Sequence, residues 1–270
     1  MYEFHFEGFN KEQCDLYLER IGAEYDGQPN LANLDLLIRR HQQSVPFENL
    51  ALIMNYGTVD LHPDALFRKI VTDRRGGFCF ELNGAFLLLL KGLGYDAVGC
   101  MARVGIPFIG ELLKLDHRGI IVRMEGKTYF CDVGMGGPKA DWAVEFSMVP
   151  GESQKIRQTR HGQTYWVEDT FEGWKMLKNE GSGSDGSCII FAPIAMLPMD
   201  FEANCADLVG RGNTIFHQVR MVNLCLEDGY LDLRDNTLKI CEQGRITERE
   251  FPEKEFPQIL QEKFGITLQR

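Results

Sequence analysis

The amino-acid sequence predicts an α+β protein in which helices come first, strands second, and strands with a closing helix last. Three patterns predict this order. Apolar residues recur at helical spacing up to residue 93, strand-like segments separated by turn residues follow from Gly94, and a region from about Met196 combines strands with an amphipathic C-terminal segment. We therefore expect three consecutive domains, at residues 1–93, 94–195 and 196–270.

The first domain contains four predicted helices. The first follows the N-cap Asn10 and ends at Gly22, and the second ends before Pro46, because a residue that precedes a proline avoids the helical region. The third begins at Pro63, where a missing N–H group does no harm. The fourth, residues 79–93 with the sequence CFELNGAFLLLLKGL, is apolar nearly all round, which predicts a helix buried at the centre of the domain.

The second domain reads as strands. The segments are YDAVGCMARV, HRGIIVRM, KTYFCDVG, TYWVE, GWKML and CIIFAP, with a turn at Glu125-Gly126 between the second and the third. The sequence GSGSDGS at 181–187 is interpreted as a flexible hairpin loop, since no Lys-Ser or Lys-Thr follows it as a phosphate loop requires.

The third domain is predicted to begin with the strands FHQVRMVNLCL, YLDLR and TLKIC. Thr247 with Glu250 matches a helix capping box, and the segment behind it places four apolar side chains on one helical face: Phe256, Ile259, Leu260 and Phe264.

Composition excludes several classes of function. The chain has 270 residues, of which 44% are apolar and 25% charged, with a formal net charge of -10. These values are typical of a folded globular protein, and the negative charge argues against general affinity for nucleic acid or anionic membranes. The start MYEFHFEGFNKEQCD has no basic region followed by an apolar one, so we expect no secretory signal and a cytoplasmic protein. The sequence leaves the oligomeric state open.

The eight cysteines do not form a metal-binding or redox pattern, since no two of them are separated by only two residues. Most are expected to be small buried side chains. No metal is predicted.

Cys79 is the cysteine whose surroundings suggest chemistry. It follows Gly76, Gly77 and Phe78 and opens the buried helix, where unpaired N–H groups and the helix dipole favour a thiolate. The alternative is that Cys79 is an ordinary buried side chain at a helix start, without a chemical role.

His117 and Asp132 are the candidate partners of this cysteine. They lie on two predicted strands joined by a tight turn, so their side chains can hydrogen-bond side by side. Such a histidine takes the thiol proton while the acid fixes the tautomer of the ring. From the pattern alone, a structural hydrogen-bonded pair is the alternative.

The sequence resembles the arylamine N-acetyltransferase family, of the prokaryotic type, along almost its whole length. The segments that carry the resemblance are HQQSVPFENL at 41–50, RGGFCFELN at 75–83, His117 followed by IIV, DVGMGG at 132–137, PMDFEAN at 198–204 and the ending FGITLQR. The run of arginine, two glycines, a variable residue and cysteine, together with the upstream Pro-Phe-Glu-Asn, is specific for this family.

The resemblance implies a helical bundle, a β-barrel and an α/β lid, built around a catalytic core similar to that of papain-like cysteine enzymes. It implies a triad of Cys79, His117 and Asp132, and structural support from Glu48 and Arg75 as an ion pair holding the cysteine loop. It also implies a ping-pong reaction in which acetyl-coenzyme A, the only cofactor inferred, acetylates the cysteine and an aromatic amine, hydroxylamine or hydrazine then takes the acetyl group. Detoxification of foreign amines is the role expected of the family.

Coenzyme A carries phosphates, so a net acidic protein must supply local donors for it. The candidates are backbone N–H groups from Gly134 to Gly137, including Gly136, the side chains of Lys114 and Lys139, and the neighbourhood of Thr214 and Phe216. Each of these residues also has an ordinary structural interpretation, as a strand end, a solvated lysine or a core aromatic.

Three residues depart from the family pattern. Asp116 precedes the histidine where threonine is common, Arg118 follows it where an apolar residue is common, and Met135 replaces a usual aromatic. These positions are expected to line the cleft, so they concern the acceptor and the coenzyme A contacts rather than the triad.

Two other functions stay open at this point. The same three residues can serve an amide synthase or a thioester hydrolase, and a protein of this fold can bind aromatic ligands without catalysis.

Overall fold

The computed structural model describes residues 7–54, 59–104, 114–136, 139–179 and 185–268, with backbone only for residues 185–188. Within these ranges the α-helices are α1 Lys11–Ile21, α2 Leu31–Ser44, α3 Leu50–Ile53, α4 Pro63–Phe67, α5 Cys79–Gly92, α6 Pro198–Gly210, α7 Ile215–Gln218 and α8 Phe256–Phe264. The strands are β1 Phe47–Glu48, β2 Asp96–Val104, β3 His117–Met124, β4 Lys127–Cys131, β5 Val144–Phe146, β6 Gln158–Arg160, β7 Gln163–Thr170, β8 Gly173–Asn179, β9 Asp185–Phe191, β10 Met221–Leu226, β11 Gly229–Arg234, β12 Thr237–Glu242 and β13 Arg245–Glu250.

The predicted helix ends are confirmed in the first part of the chain. Asn10 caps α1 by accepting the N–H of Gln13 at 2.9 Å, and Gly22 ends this helix in the left-handed region at φ +61. Helix α2 stops at Ser44, before Pro46, and α4 begins at Pro63. A π-helical turn, Arg68–Thr72, continues from α4 toward the glycine loop.

Helix α5 is the centre of the structure. It is buried from Cys79 to Leu90, as the apolar sequence predicts. Each fully buried Leu or Phe side chain in such a helix stabilises the fold by roughly 1.5–3 kcal/mol relative to an exposed one. The same helix packs on β2 and β3, so its first residue is held rigidly against the sheet.

The larger sheet has eight strands in the order β5-β4-β3-β2-β9-β8-β7-β6 and curls into a nearly closed barrel. The two end strands approach each other through Gln158, whose side chain accepts the N–H of Glu145 and donates to its carbonyl, each at 3.0 Å. Phe130, Trp142 and Phe191 fill the interior. Strands β8 and β9 are antiparallel neighbours, and the end of the GSGSDGS segment is strand rather than the predicted loop, because Asp185, Gly186 and Ser187 lie in β9 and pair with β8. Residues 181–184 lie outside the described ranges.

The smaller sheet has the order β1-β10-β11-β12-β13, and α8 packs against β10. Strand β1 comes from the N-terminal part of the chain, so Phe47 and Glu48 tie that part to the C-terminal one. The α+β class in three consecutive parts is confirmed by this architecture, whereas the domain limits at residues 93 and 195 stay predictions. Among the helices of the described ranges, none combines the length and the apolar character needed to cross a membrane.

Two predicted elements of the third part are wrong. The strand expected from Phe216 begins only at Met221, because residues Ile215–Gln218 form a helical turn. Thr247 and Glu250 do not cap a helix but lie in β13, which a tight turn with positive φ at Gln243 and Gly244 folds back onto β12. The sequence analysis also missed α6.

Candidate active site

Cys79 is the first residue of α5, and a loop of glycines brings it there. The loop is fixed to β1 by two backbone hydrogen bonds, from Glu48 N–H to the Gly77 carbonyl at 2.8 Å and from Gly77 N–H to the Pro46 carbonyl at 3.3 Å. A Cβ atom on Gly76 would lie 2.0 Å from the Pro46 carbonyl oxygen, so only glycine fits. The loop sequence is therefore needed to present the cysteine.

Two buried ion pairs support this loop. Arg75 donates to Glu48 Oε1 from Nη2 at 2.7 Å and from Nε at 3.1 Å, while Glu48 Oε2 accepts the N–H of Leu50. Glu81 binds Lys69 at 2.6 Å and accepts the N–H of Phe78 at 3.2 Å, which caps α5. The Glu48–Arg75 pair thus lies where the resemblance implies it, and the second pair was not anticipated.

His117 and Asp132 form a buried pair at the ends of neighbouring strands. His117 begins β3, Asp132 follows β4 directly, and His117 Nε2 lies 2.8 Å from Asp132 Oδ2. The sulfur of Cys79 lies 3.6 Å from the carbonyl oxygen of Asp116, the residue before His117. Since Nε2 is used by Asp132, Nδ1 is the ring nitrogen left for the thiol.

Asn83 is a site residue that the sequence analysis missed. Its side-chain amide donates to Asp132 Oδ1 at 2.8 Å and to the Arg118 carbonyl at 2.6 Å, and its oxygen accepts the N–H of Val133 at 2.9 Å. It therefore joins α5 to both strands that carry the pair. The signal was present, because Asn83 is, with Glu81, one of two polar residues in the buried part of the helix, and it lies four positions after Cys79 on the same face.

The charges of the pair stabilise one another against burial. Burial disfavours a charged ring at His117, but the charge of Asp132 and the interaction with Cys79 outweigh it and raise the pKa of His117 to about 10. Burial likewise disfavours a charged carboxyl at Asp132. The charge and hydrogen bond of His117, with the Asn83 bond, nevertheless lower the pKa of Asp132. The resting pair is an imidazolium bound to a carboxylate.

The predicted coenzyme A contacts in the glycine-rich run differ from one another. Gly134 is buried, its N–H donates to Asp132 Oδ1 at 2.7 Å, and an added Cβ would lie 2.7 Å from the Cα of Cys79. Its N–H is thus part of the support of Asp132 rather than a free phosphate donor. Gly136 is exposed, and Gly137 lies outside the described residues.

The predicted contacts elsewhere lie around α6 and α7. Lys114 is exposed and its Nζ lies 3.6 Å from Asp207 of α6. Thr214 precedes α7 and its hydroxyl lies 2.9 Å from Nδ1 of His217. Phe216 packs against Phe78, with ring centroids 6.2 Å apart, which brings it next to the cysteine loop.

Asn49 fixes the position of Phe216. Its side-chain amide donates to the carbonyls of Phe216 and Val219 at 2.9 and 2.7 Å, and its oxygen accepts the N–H of Met221 at 2.8 Å. The Pro-Phe-Glu-Asn run therefore has two functions in the structure: Glu48 supports the cysteine loop and Asn49 supports α7.

The three positions that depart from the family pattern do not share one environment. Asp116 forms an ion pair with Arg211 at 3.3 Å, and the Met135 carbonyl accepts a hydrogen bond from Lys139. Arg118 does not line an open cleft as expected, because its side chain is buried beneath α6.

The arrangement brings a thiol, an imidazole and a carboxylate into one buried network, and these are the groups that a nucleophile, its base and an orienting acid require. Across the described part of the chain, no group of three or more His, Cys, Asp or Glu side chains could hold a metal ion.

Comparison with known proteins identifies similar chains. A family profile described as N-acetyltransferase matches residues 30–270. The arylamine N-acetyltransferase of Mycolicibacterium smegmatis is 32% identical over 169 residues, which are 60% of this chain and 62% of that protein. The chain thus spans less than two thirds of this relative's length.

Solved structures are similar over nearly the whole chain. The arylamine N-acetyltransferase from Salmonella typhimurium superposes with a TM-score of 0.87 at 23% identity, covering 97% of this chain and 94% of that one, a likeness that concerns the fold. The Mycobacterium marinum enzyme in complex with CoA gives a TM-score of 0.81 at 25% identity, covering 94% and 92%.

Proposed function

The chain belongs to the arylamine N-acetyltransferase family, and from this premise we propose that it transfers an acetyl group from acetyl-coenzyme A to an aromatic amine, hydroxylamine or hydrazine. The transfer passes through an acetyl-Cys79 intermediate. The observation that carries the proposal is the buried His117–Asp132 pair, which leaves one ring nitrogen beside the thiol of Cys79.

In the first half-reaction, the Cys79 thiolate, whose proton already resides on Nδ1 of His117, attacks the thioester carbonyl carbon. The oxyanion forms at the N-terminus of α5, where unpaired N–H groups and the helix dipole favour negative charge. The bond to the sulfur of coenzyme A then breaks, and His117 returns the proton to the departing thiolate.

In the second half-reaction, the amine nitrogen attacks the acetyl-Cys79 carbonyl while His117 removes its proton. The carbon–sulfur bond breaks, and the Cys79 thiolate is regenerated beside the protonated His117. Asp132 keeps the ring in one orientation through both steps, and Asn83 keeps Asp132 in place.

For coenzyme A we retain Lys114, Gly136, Thr214 and Phe216 as candidate contacts. The M. marinum relative binds CoA, and the position of Phe216 beside Phe78 supports an approach of the donor along α7. Because the mechanism needs a reduced Cys79, we place the reaction in the cytoplasm, where thiols stay reduced.

Intact mass of the protein after incubation with acetyl-coenzyme A alone tests the proposal. We expect a gain of one acetyl group, absent in Cys79→Ala, and loss of that group when an arylamine is added. Cys205→Ala is the matched control, since it removes another buried thiol close to α5 and should still be acetylated.

The other outcomes point to the alternatives. Release of coenzyme A without an amine would favour a thioester hydrolase, and absence of an adduct with binding of aromatic amines would favour a protein that only binds them.

A further inference from the structure

Arg118 is a buried cation next to the catalytic histidine. Its side chain leaves β3 on the face opposite to that of His117 and is 4% exposed. The guanidinium lies 4.0 Å from the centre of the Phe201 ring of α6, and its Nη1 is 3.5 Å from the carbonyl oxygen of Phe80, the residue after Cys79. Its Nε has no hydrogen-bond partner among the described residues.

A charge buried in this way needs an anion. Within the described ranges no carboxylate lies within ion-pair distance of Arg118, and Glu81, the nearest acid along α5, is bound to Lys69 at 2.6 Å. Burial lowers the pKa of Arg118 to about 10, so it is still protonated at neutral pH. A buried charge without a partner is destabilising, and one cation–π contact with one long hydrogen bond offsets only part of this.

The titratable groups close enough to Arg118 to influence its pKa are three thiols, those of Cys100 in β2, Cys79 in α5 and Cys205 in α6. Burial raises the pKa of Cys100 and of Cys205, so these two stay neutral. Cys79 is the thiol that has a base, His117, to receive its proton. The anion that can compensate Arg118 is therefore the Cys79 thiolate.

We propose that Arg118 is a positioning residue for catalysis, whose buried charge favours the thiolate of Cys79 through the first turn of α5. The proton released by Cys79 goes to Nδ1 of His117, so the resting site holds a thiolate and an imidazolium. The inference rests on the proposed function in that it takes Cys79 as the nucleophile.

The pH dependence of Cys79 alkylation by iodoacetamide measures the thiolate directly, because the thiolate is the reacting form. Peptide mass spectrometry separates Cys79 from the partly exposed Cys225 and Cys241. In Arg118→Met we expect the midpoint to rise by about one pH unit, which makes alkylation on the order of tenfold slower below the midpoint. Arg118→Lys keeps the charge and should recover most of this loss.

Arg20→Met is the matched control. Arg20 is also buried, at 7% exposure, and its guanidinium donates to the carbonyls of Ser44, Ile70 and Arg74. Its loss should lower the thermal stability without moving the alkylation midpoint. An Arg118→Met protein that is folded and has the wild-type midpoint would overturn the proposal, as would an equal shift in both methionine variants.

A stability measurement gives a second test, with Arg118→Gln in place of the methionine variant if the latter does not fold. If the thiolate compensates Arg118, neutralising Arg118 should cost less stability in a Cys79→Ala background than in the wild type. Equal costs would contradict the proposal. Neither assay uses acetyl-coenzyme A, so failure of the proposed acetyl transfer would be seen separately from failure of this inference.

Discussion

Two groups of buried charged side chains surround the Cys79 turn, and they differ in what their polar atoms are used for. On the loop side, Glu48 uses one oxygen for Arg75 and the other for the N–H of Leu50. Glu81 likewise divides its oxygens between Lys69 and the N–H of Phe78. Each carboxylate joins a cation to the backbone.

On the strand side, Asp132 is just as fully used, by His117, Asn83 and the Gly134 N–H. His117, the cationic partner of Asp132, is less fully used, because only one of its two ring nitrogens binds Asp132 and the other is left for the thiol of Cys79. Burial of charge therefore fixes the backbone in one group and holds a reactive ring in the other. Removing a loop charge should reduce stability first, and removing a strand-side charge should reduce activity first.

Asp132→Asn should give the largest effect. The amide cannot stabilise an imidazolium and favours the wrong ring tautomer, so we expect acetylation of Cys79 to slow on the order of 10⁴-fold. Single-turnover mass spectrometry with acetyl-coenzyme A measures this rate, and circular dichroism monitors the fold. A loss below about tenfold would contradict the assigned role of Asp132.

Glu48→Gln should act mainly on stability. It removes the carboxylate that pairs with Arg75, and breaking a buried pair in this way costs about 3–5 kcal/mol in the free energy of unfolding. Urea unfolding measures this change. The control is Asp96→Asn, which breaks an exposed pair with Arg123 at 3.0 Å and should cost about 0–1 kcal/mol. If the two variants lost similar amounts of unfolding free energy, the Glu48–Arg75 pair would support the loop no more than an exposed ion pair does.

The three residues of the proposed triad could be selected as candidates from the sequence because each has a local signal, and the family resemblance then joined them. Cys79 follows a glycine loop at a helix start, and His117 and Asp132 lie on strands joined by a tight turn. The Asn83 contact with Asp132 joins residues 49 positions apart, and no local rule gives such a pairing. Its amide is visible in the sequence only as an unexplained polar residue in an apolar helix.

Helix positions were predictable where a cap and the apolar periodicity agree, as in α1, and where a long run is apolar nearly all round, as in α5. Helix α6 has such signals too, with Pro198 at its start and Phe201, Cys205 and Leu208 on its buried face. Thr247 shows the opposite case, since a capping signature was overruled by the turn at Gln243 and Gly244 that pairs β13 with β12. The single turn α7 depends on bonds from Asn49, more than 160 residues earlier, and tertiary contacts of this kind override local strand propensity.

The pH dependence of the free energy of unfolding should distinguish the same two groups of buried charges, with a smaller effect than the substitutions above. The pKa of His117 is raised from the ordinary 6.5 to about 10. Its contribution is therefore complete below about pH 6.5 and is lost as the pH rises through about 10, since the native state holds a proton that the unfolded chain has released. The lowered pKa of Asp132 has the opposite sign, giving stability that is lost only on acidification.

Above about pH 8.5, where the unfolded Cys79 thiol has also released its proton, the free energy of unfolding should thus fall by up to about 1.4 kcal/mol per pH unit through His117. His117→Gln removes the titrating group, so the stabilities of wild type and variant should converge as the pH rises, whereas Glu48→Gln should keep the wild-type slope. Urea unfolding at half-unit pH steps compares the three slopes. Parallel curves for wild type and His117→Gln would show that the imidazolium is not what the buried network stabilises.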